Sequence, residues 1–188
     1  MDNSLGASVW KQFGAAIDML DNAVAACPNA LWTERLWQVP ASSDYVPQFA
    51  EFWYLAFHTL FCLDLYLADV SEEEFVHSAP FPAGDEDSAE SRPEQPYTKE
   101  QVRAYLAVVR QKCHDTLIAL TDEQAFRIVA IPWLKERSVN YLELQLYNMR
   151  HVQEHAAQMS LLLGQHVIPN ADETLHWVAQ AKGAQSNS

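Results

Sequence analysis

Three histidines carry the strongest chemical signal in this sequence of 188 residues. His151 and His155 lie four residues apart, so in a helix both project from one face, where two imidazoles can reach a single ion. His58 lies in the middle of an otherwise apolar helix, within residues 55–61. A buried imidazole needs a partner there, since leaving a buried polar group unpaired costs about 1–3 kcal/mol. That partner is either a polar side chain on a facing helix or, if a bundle brings His58 to the pair, a shared metal ion.

The donor set itself limits the chemistry of such a site. Three neutral imidazoles without a carboxylate give a centre of charge +2, which suits zinc or nickel, with iron also possible. Three protein ligands leave at least one position for water, a thiol or a substrate, as in catalytic rather than closed structural sites. A bound water would have a lowered pKa, and a bound thiol would lose its proton.

Four neighbouring residues are candidates for supporting roles. Gln158 and Asn148 flank the histidine pair at a spacing of three residues, where they could orient a ligand, touch a substrate or make ordinary bundle contacts. Cys62 lies four residues after His58 and faces the same way, so it is either a thiolate ligand or, as we expect, a buried structural cysteine. Glu51 is a possible base or ligand, but an exposed glutamate in the first helical turn is the better interpretation.

Hydrophobic periodicity predicts four long helices to position these residues. They run from about residue 5 to 26, from about 44 to 69, from 98 to about 120, and from 138 to about 163. Thr98 opens a capping box for the third, Ser138 caps the fourth, and Gly164 ends it. Four helices of this length predict an all-α protein, a four-helix bundle with a long acidic connection between helices 2 and 3.

The segments between and after the helices are less regular, and one domain, 1–188, accommodates them all. The insertion 71–97 contains eight acidic residues against one arginine, so we expect a solvated loop, with an acidic docking arm as the alternative. Residues 121–137 predict a short turn followed by a loop at Ile131-Pro132-Trp133. The C-terminal extension 165–188 contains a possible short helix over 170–181.

Charge and composition exclude several classes of function. A net charge of −13 argues against nucleic acid and against anionic membrane surfaces as partners. Residues 52–68 are apolar but fall short of the roughly 20 needed to span a membrane, and they contain His58 and Asp64, so we interpret them as a core helix. We expect Asp64, which is not on the histidine face, to be paired or solvated. An odd number of cysteines and no signal peptide predict a cytoplasmic location.

The pattern of His58 with His151-Val152-Gln153-Glu154-His155 and Gln158 resembles the DinB-like (DinB/YfiT) superfamily of four-helix-bundle proteins. The resemblance covers about residues 5–164. It implies one divalent metal ion held by a histidine of the second helix and a His-x3-His pair of the last, here His58, His151 and His155. It further implies a homodimer and two metal-dependent chemistries: transfer or isomerisation with a low-molecular-weight thiol, and hydrolysis. The alternative is a non-enzymatic stress-response or binding module in which the metal is structural or absent.

Overall fold

The computed structural model describes residues 5–44, 46–80, 95–131 and 134–166. Its elements are α1 (Leu5–Ala26), α2 (Phe52–Ala68), α3 (Lys99–Ile118), α4 (Asp122–Phe126), β1 (Ile128–Ile131), β2 (Leu134–Asn140) and α5 (Tyr141–His166), with short 3₁₀ turns at Asn29–Leu31, Pro47–Ala50 and Glu72–Glu74. Helices α1 and α2 each pack against both α3 and α5, which places α1 and α2 at opposite corners of a bundle. The predicted helical fold is confirmed, and β1 and β2 add a small sheet to it.

Helix α2 is the most deeply buried element of the bundle. Every one of its residues is buried except His58 and the C-terminal Ala68, both of which are partly exposed. Because its hydrophobic residues surround the whole helix, α2 has core on every side. Among the described residues, no helix is long and apolar enough to cross a membrane.

The start of α2 differs from the prediction of a continuous helix from about residue 44. A 3₁₀ turn at Pro47–Ala50 precedes it, and Glu51 is extended, with φ −75° and ψ 144°. Glu51 forms an isolated β-bridge with Arg35, and the Phe52 N–H donates to the carbonyl of Glu34 at 2.9 Å. The preceding loop therefore satisfies backbone groups that the first turn of a helix leaves unpaired, and the helix begins only after that pairing.

The connection between α3 and α5 differs most from the prediction. Instead of a turn and a loop it contains α4 and an antiparallel hairpin, in which Val129 pairs with Val139 and the register shifts between Ala130 and Ile131. Ser138, the predicted helix cap, lies in β2. Asn140 takes that role, since its Oδ1 accepts from the Glu143 N–H at 2.8 Å.

The other helix boundaries have a mixed outcome. The capping box of α3 is confirmed, because the Gln101 N–H donates to Thr98 Oγ1 at 3.2 Å and the Thr98 N–H donates to Gln101 Oε1 at 2.9 Å. Helix α5 continues through Gly164 to His166, so the predicted stop at Gly164 is wrong. A glycine in an exposed turn only weakens a helix, by about 1 kcal/mol. The predictions for Pro132, Trp133 and 170–181 lie outside the described residues.

Both described ends of the acidic segment pack against the bundle. At its start, the Ser78 N–H donates to Asp64 Oδ2 at 2.6 Å, and the Phe75 ring contacts Phe61 edge-on at 5.1 Å between centroids. At its end, the Tyr97 ring lies 4.8 Å from that of Phe57. The part of the segment over 81–94, which carries most of its charge, lies outside the described residues.

Candidate metal centre

The packing of α2 on α5 brings the three predicted histidines together. His58 projects from α2, and His151 and His155 project from successive turns of α5. The ring centroid of His58 lies 5.3 Å from that of His151 and 5.6 Å from that of His155. The centroids of the two α5 rings are 4.4 Å apart. Three imidazoles from two helices thus meet in one partly buried cluster.

The nitrogen atoms of the α5 pair face each other. His155 Nε2 lies 3.0 Å from His151 Nε2, and His155 Nδ1 lies 2.8 Å from Oε1 of Gln158. An amide oxygen only accepts hydrogen bonds, so the proton of neutral His155 is on Nδ1 and the lone pair of Nε2 points at His151. Gln158 therefore fixes the tautomer and the ring orientation that a metal ligand requires.

Burial lowers the pKa of both imidazoles of α5. It lowers the pKa of His151 to about 3, with smaller contributions from His155 and His58. The pKa of His155 is also lowered, chiefly by burial, although the bond to Gln158 acts the other way. At neutral pH both rings are therefore unprotonated bases that can donate to a metal. His151 Nδ1 is buried and has no hydrogen-bond partner among the described residues.

Cys62 also lies in this cluster, although the sequence analysis expected it to be a buried structural cysteine. Its Sγ lies 3.7 Å from Nε2 and 3.9 Å from Nδ1 of His58. One donor atom each from His58, Cys62 and His151 lies within 4.8 Å of the other two. Burial raises the pKa of the Cys62 thiol to about 12, a hydrogen bond from Tyr66 lowers it, and the charge of Glu72 raises it. The spacing of four residues from His58 was the sequence signal that could have placed Cys62 in the cluster.

The remaining candidates have other partners. The Asn148 amide donates to the carbonyl of Leu63 at 3.3 Å, which ties α5 to α2, while its Oδ1 is buried without a partner in the described part of the chain. Glu51 lies at the N-terminal end of α2 and accepts from the Trp53 indole at 2.7 Å. Neither contact supports a direct role at the histidines. Asp64, which we expected to be either paired or solvated, is fully buried and paired with Lys112.

Tyrosine rings that the sequence analysis did not single out surround the cluster. Tyr54 stacks on His58 with centroids 6.3 Å apart, and Tyr147 stacks on His151 at 6.4 Å. Tyr66 lies 6.3 Å from His151. Tyr54 and Tyr147 each lie four residues before the histidine they contact, a spacing visible in the sequence.

The donor geometry is suitable for a divalent ion. Two nitrogens bound to zinc at tetrahedral angles and about 2.0–2.1 Å lie about 3.3 Å apart. The separation of 3.0 Å between the His151 and His155 Nε2 atoms is close to that value. With both Nε2 lone pairs on an ion, the proton of His151 would move to the unpartnered Nδ1. Fold and cluster together define a helical bundle with the features of a metal-binding protein.

Comparison with known families agrees with this class. The family model of the DinB superfamily matches residues 12–159, which is more than three quarters of the chain and includes all three histidines. The chain belongs to the DinB superfamily. A search of curated proteins finds no significant match to the sequence.

Proposed function

We propose that the protein is a metal-dependent enzyme in which His58, His151 and His155 hold one divalent ion, zinc or nickel in the first instance. The observation that supports this most strongly is the meeting of three imidazoles from α2 and α5, with the Nε2 atoms of the α5 pair facing each other. The lowered pKa of His151 and its unpartnered Nδ1 are further support. When bound, the metal supplies a Lewis acid that lowers the pKa of a water or thiol.

The residues around the histidines support a small-molecule reaction. A cavity of about 470 Å³ lies along α5 and the hairpin, and Tyr147 both lines it and stacks on His151. Arg137, Arg150 and Glu143 line the same cavity, so two positive charges against one negative charge would favour an anionic ligand there, in a chain that is otherwise strongly acidic. An anionic low-molecular-weight thiol or a hydrolysable anionic substrate has this character. We therefore propose thiol-dependent transfer or isomerisation, or hydrolysis, as the reaction class.

A second candidate function is a non-enzymatic module in which the metal stabilises the fold. The observation in its favour is Cys62, because a fourth protein donor beside three histidines would give the closed coordination typical of structural sites. The two functions differ in whether a small thiol or another exogenous ligand reaches the metal. Spectroscopy of the cobalt-loaded protein with and without added thiol distinguishes them.

Metal analysis tests the proposed site. The untagged protein is purified and its metal content is measured by plasma mass spectrometry beside the variants His151→Ala and His166→Ala. We expect about one zinc or nickel per chain in the wild type and in His166→Ala, whose exposed histidine lies on the same helix but outside the cluster. His151→Ala should contain almost none while keeping its helical circular dichroism. An equal metal content in the folded His151→Ala variant would refute the assignment.

A further inference from the structure

Cys62 lies in surroundings that its burial alone does not explain. It follows His58 by one turn of α2, and its sulfur faces an imidazole at 3.7 Å although the residue is only 3% exposed. A cysteine that serves only to fill space is normally surrounded by apolar side chains. Here the sulfur lies beside the His58 ring, 3.7 Å from Nε2 and 3.9 Å from Nδ1.

The other two cysteines provide an internal comparison. The Cys27 thiol lies 3.5 Å from the carbonyl oxygen of Pro28, and Cys113 is completely buried in the hydrophobic core. Cys62 instead belongs to a group with His58 and His151 in which one donor atom of each lies within 4.8 Å of the others. Of the three free thiols, this is the one that the fold places among candidate ligands.

Tyr66 is the polar neighbour of this sulfur on α2. Its hydroxyl is hydrogen-bonded to the Cys62 side chain, one turn further along the same face of α2. Groups that hydrogen-bond to a ligating atom are a regular feature of metal centres. Tyr66, Cys62 and His58 therefore form a line along α2 that ends at the histidine pair of α5.

We propose that Cys62 binds the same divalent ion as His58 and His151, so that a thiolate sulfur joins the imidazole nitrogens of the centre. This inference rests on the proposed function. On binding, the S–H bond breaks, the sulfur keeps the electron pair and forms the bond to the metal, and the proton goes to solvent. In a tetrahedral zinc site a sulfur and a nitrogen lie about 3.6 Å apart, close to the distance found between Cys62 and His58.

A sulfur ligand changes what the site can do. It selects metals that accept thiolate, such as zinc and cobalt, over hard ions that prefer oxygen. It also occupies the position that three histidines alone would leave open. An incoming water or small thiol must then displace the sulfur or raise the coordination number to five, as catalytic zinc sites allow.

Cobalt absorption tests the proposal, because a cobalt–thiolate bond gives an intense near-ultraviolet charge-transfer band that cobalt–imidazole bonds lack. Metal-free wild type, Cys62→Ser and the matched control Cys113→Ser are loaded with Co²⁺ alone. We expect the band in the wild type and in Cys113→Ser, and its loss in Cys62→Ser, where the visible d–d bands of cobalt bound by histidine persist. Circular dichroism shows that each variant is folded.

The outcomes separate this inference from the proposed function. Cobalt bound in the wild type without the charge-transfer band, or with a band that survives in Cys62→Ser, overturns Cys62 ligation and leaves the histidine site intact. Failure of the wild type to bind cobalt overturns both. If Cys62→Ser does not fold, X-ray absorption of the zinc-loaded wild type decides the question: a sulfur neighbour at about 2.3 Å supports the proposal, and nitrogen and oxygen neighbours alone contradict it.

Discussion

Two buried polar clusters lie on different faces of α2, one toward α3 and one toward α5, and they are completed in different ways. On one face, the fully buried carboxylate of Asp64 has several partners: it accepts from Lys112 at 2.5 Å, from the Tyr105 hydroxyl at 2.9 Å and from Ser78 at 2.6 and 3.0 Å. On the other face, His58 and Cys62 meet the histidines of α5, where His151 Nδ1 has no partner in the described structure.

The difference indicates what each cluster does. A buried polar group that is fully hydrogen-bonded stabilises one packing arrangement, and Asp64 joins α2, α3 and the start of the acidic segment in this way. The histidine cluster instead keeps a buried nitrogen, His151 Nδ1, that has no partner among the described residues. We therefore interpret the Asp64 cluster as structural and the histidine cluster as a ligand site, and the predictions below test that contrast.

The largest effect is expected from Asp64→Ala, which should lower the free energy of unfolding by about 3 kcal/mol. It removes the partner of a partly buried lysine and the carboxylate that accepts from the Tyr105 hydroxyl and from the Ser78 N–H. Urea denaturation measures the change. Asp21→Ala is the matched control: it breaks an exposed ion pair with Arg103 and should cost less than about 1 kcal/mol. An equal cost for the two variants would contradict a structural role of Asp64.

Metal binding should produce the next largest effect. With free zinc at 100 times its dissociation constant, the free energy of unfolding of the wild type should rise by about 2.7 kcal/mol, because zinc binds the folded chain. Thermal unfolding with and without zinc measures the rise. Asp64→Ala should keep the increment, since that cluster is separate, whereas His155→Ala should lose it. A zinc response in His155→Ala as large as in the wild type would show that the ion binds elsewhere.

The hairpin and the Asp64 cluster are the parts of the fold that the sequence did not predict. Apolar residues three or four apart predicted the four long helices, and Thr98 with Gln101 marked the start of α3. The four residues of β1 are too few to reveal whether they alternate, so a strand and a loop look the same. The partners of Asp64 come from α3 and from Ser78, and no local pattern predicts contacts that depend on how distant segments pack.

The site was more accessible to sequence reasoning than the connections around it. His58, His151 and His155 stood out because polar residues on apolar helix faces need partners, and the structure brings the three rings together. Cys62 was visible at the same spacing, but a buried cysteine is ordinary in a core. The distance of its sulfur from His58 is what makes it a candidate metal ligand rather than an ordinary core residue.

The smallest effect concerns Gln158, which orients His155 without belonging to the donor set. Gln158→Ala should weaken zinc binding about tenfold, because the ring loses the bond that fixes its tautomer, and should leave the stoichiometry unchanged. A tenfold change corresponds to about 1.4 kcal/mol. Competition with a chromophoric chelator measures the affinity. Gln153→Ala, an exposed glutamine of the same helix, is the control and should bind like the wild type; equal affinities for the two variants would remove the positioning role of Gln158.

The contrast between the two faces of α2 is tested most directly by a crystal structure of the zinc-loaded protein with anomalous diffraction recorded at the zinc absorption edge. The account predicts one strong peak per chain, bound by His58 and by the facing Nε2 atoms of His151 and His155, and no peak at Asp64. A peak only among the acidic residues, or an empty histidine cluster in zinc-soaked crystals, would contradict it.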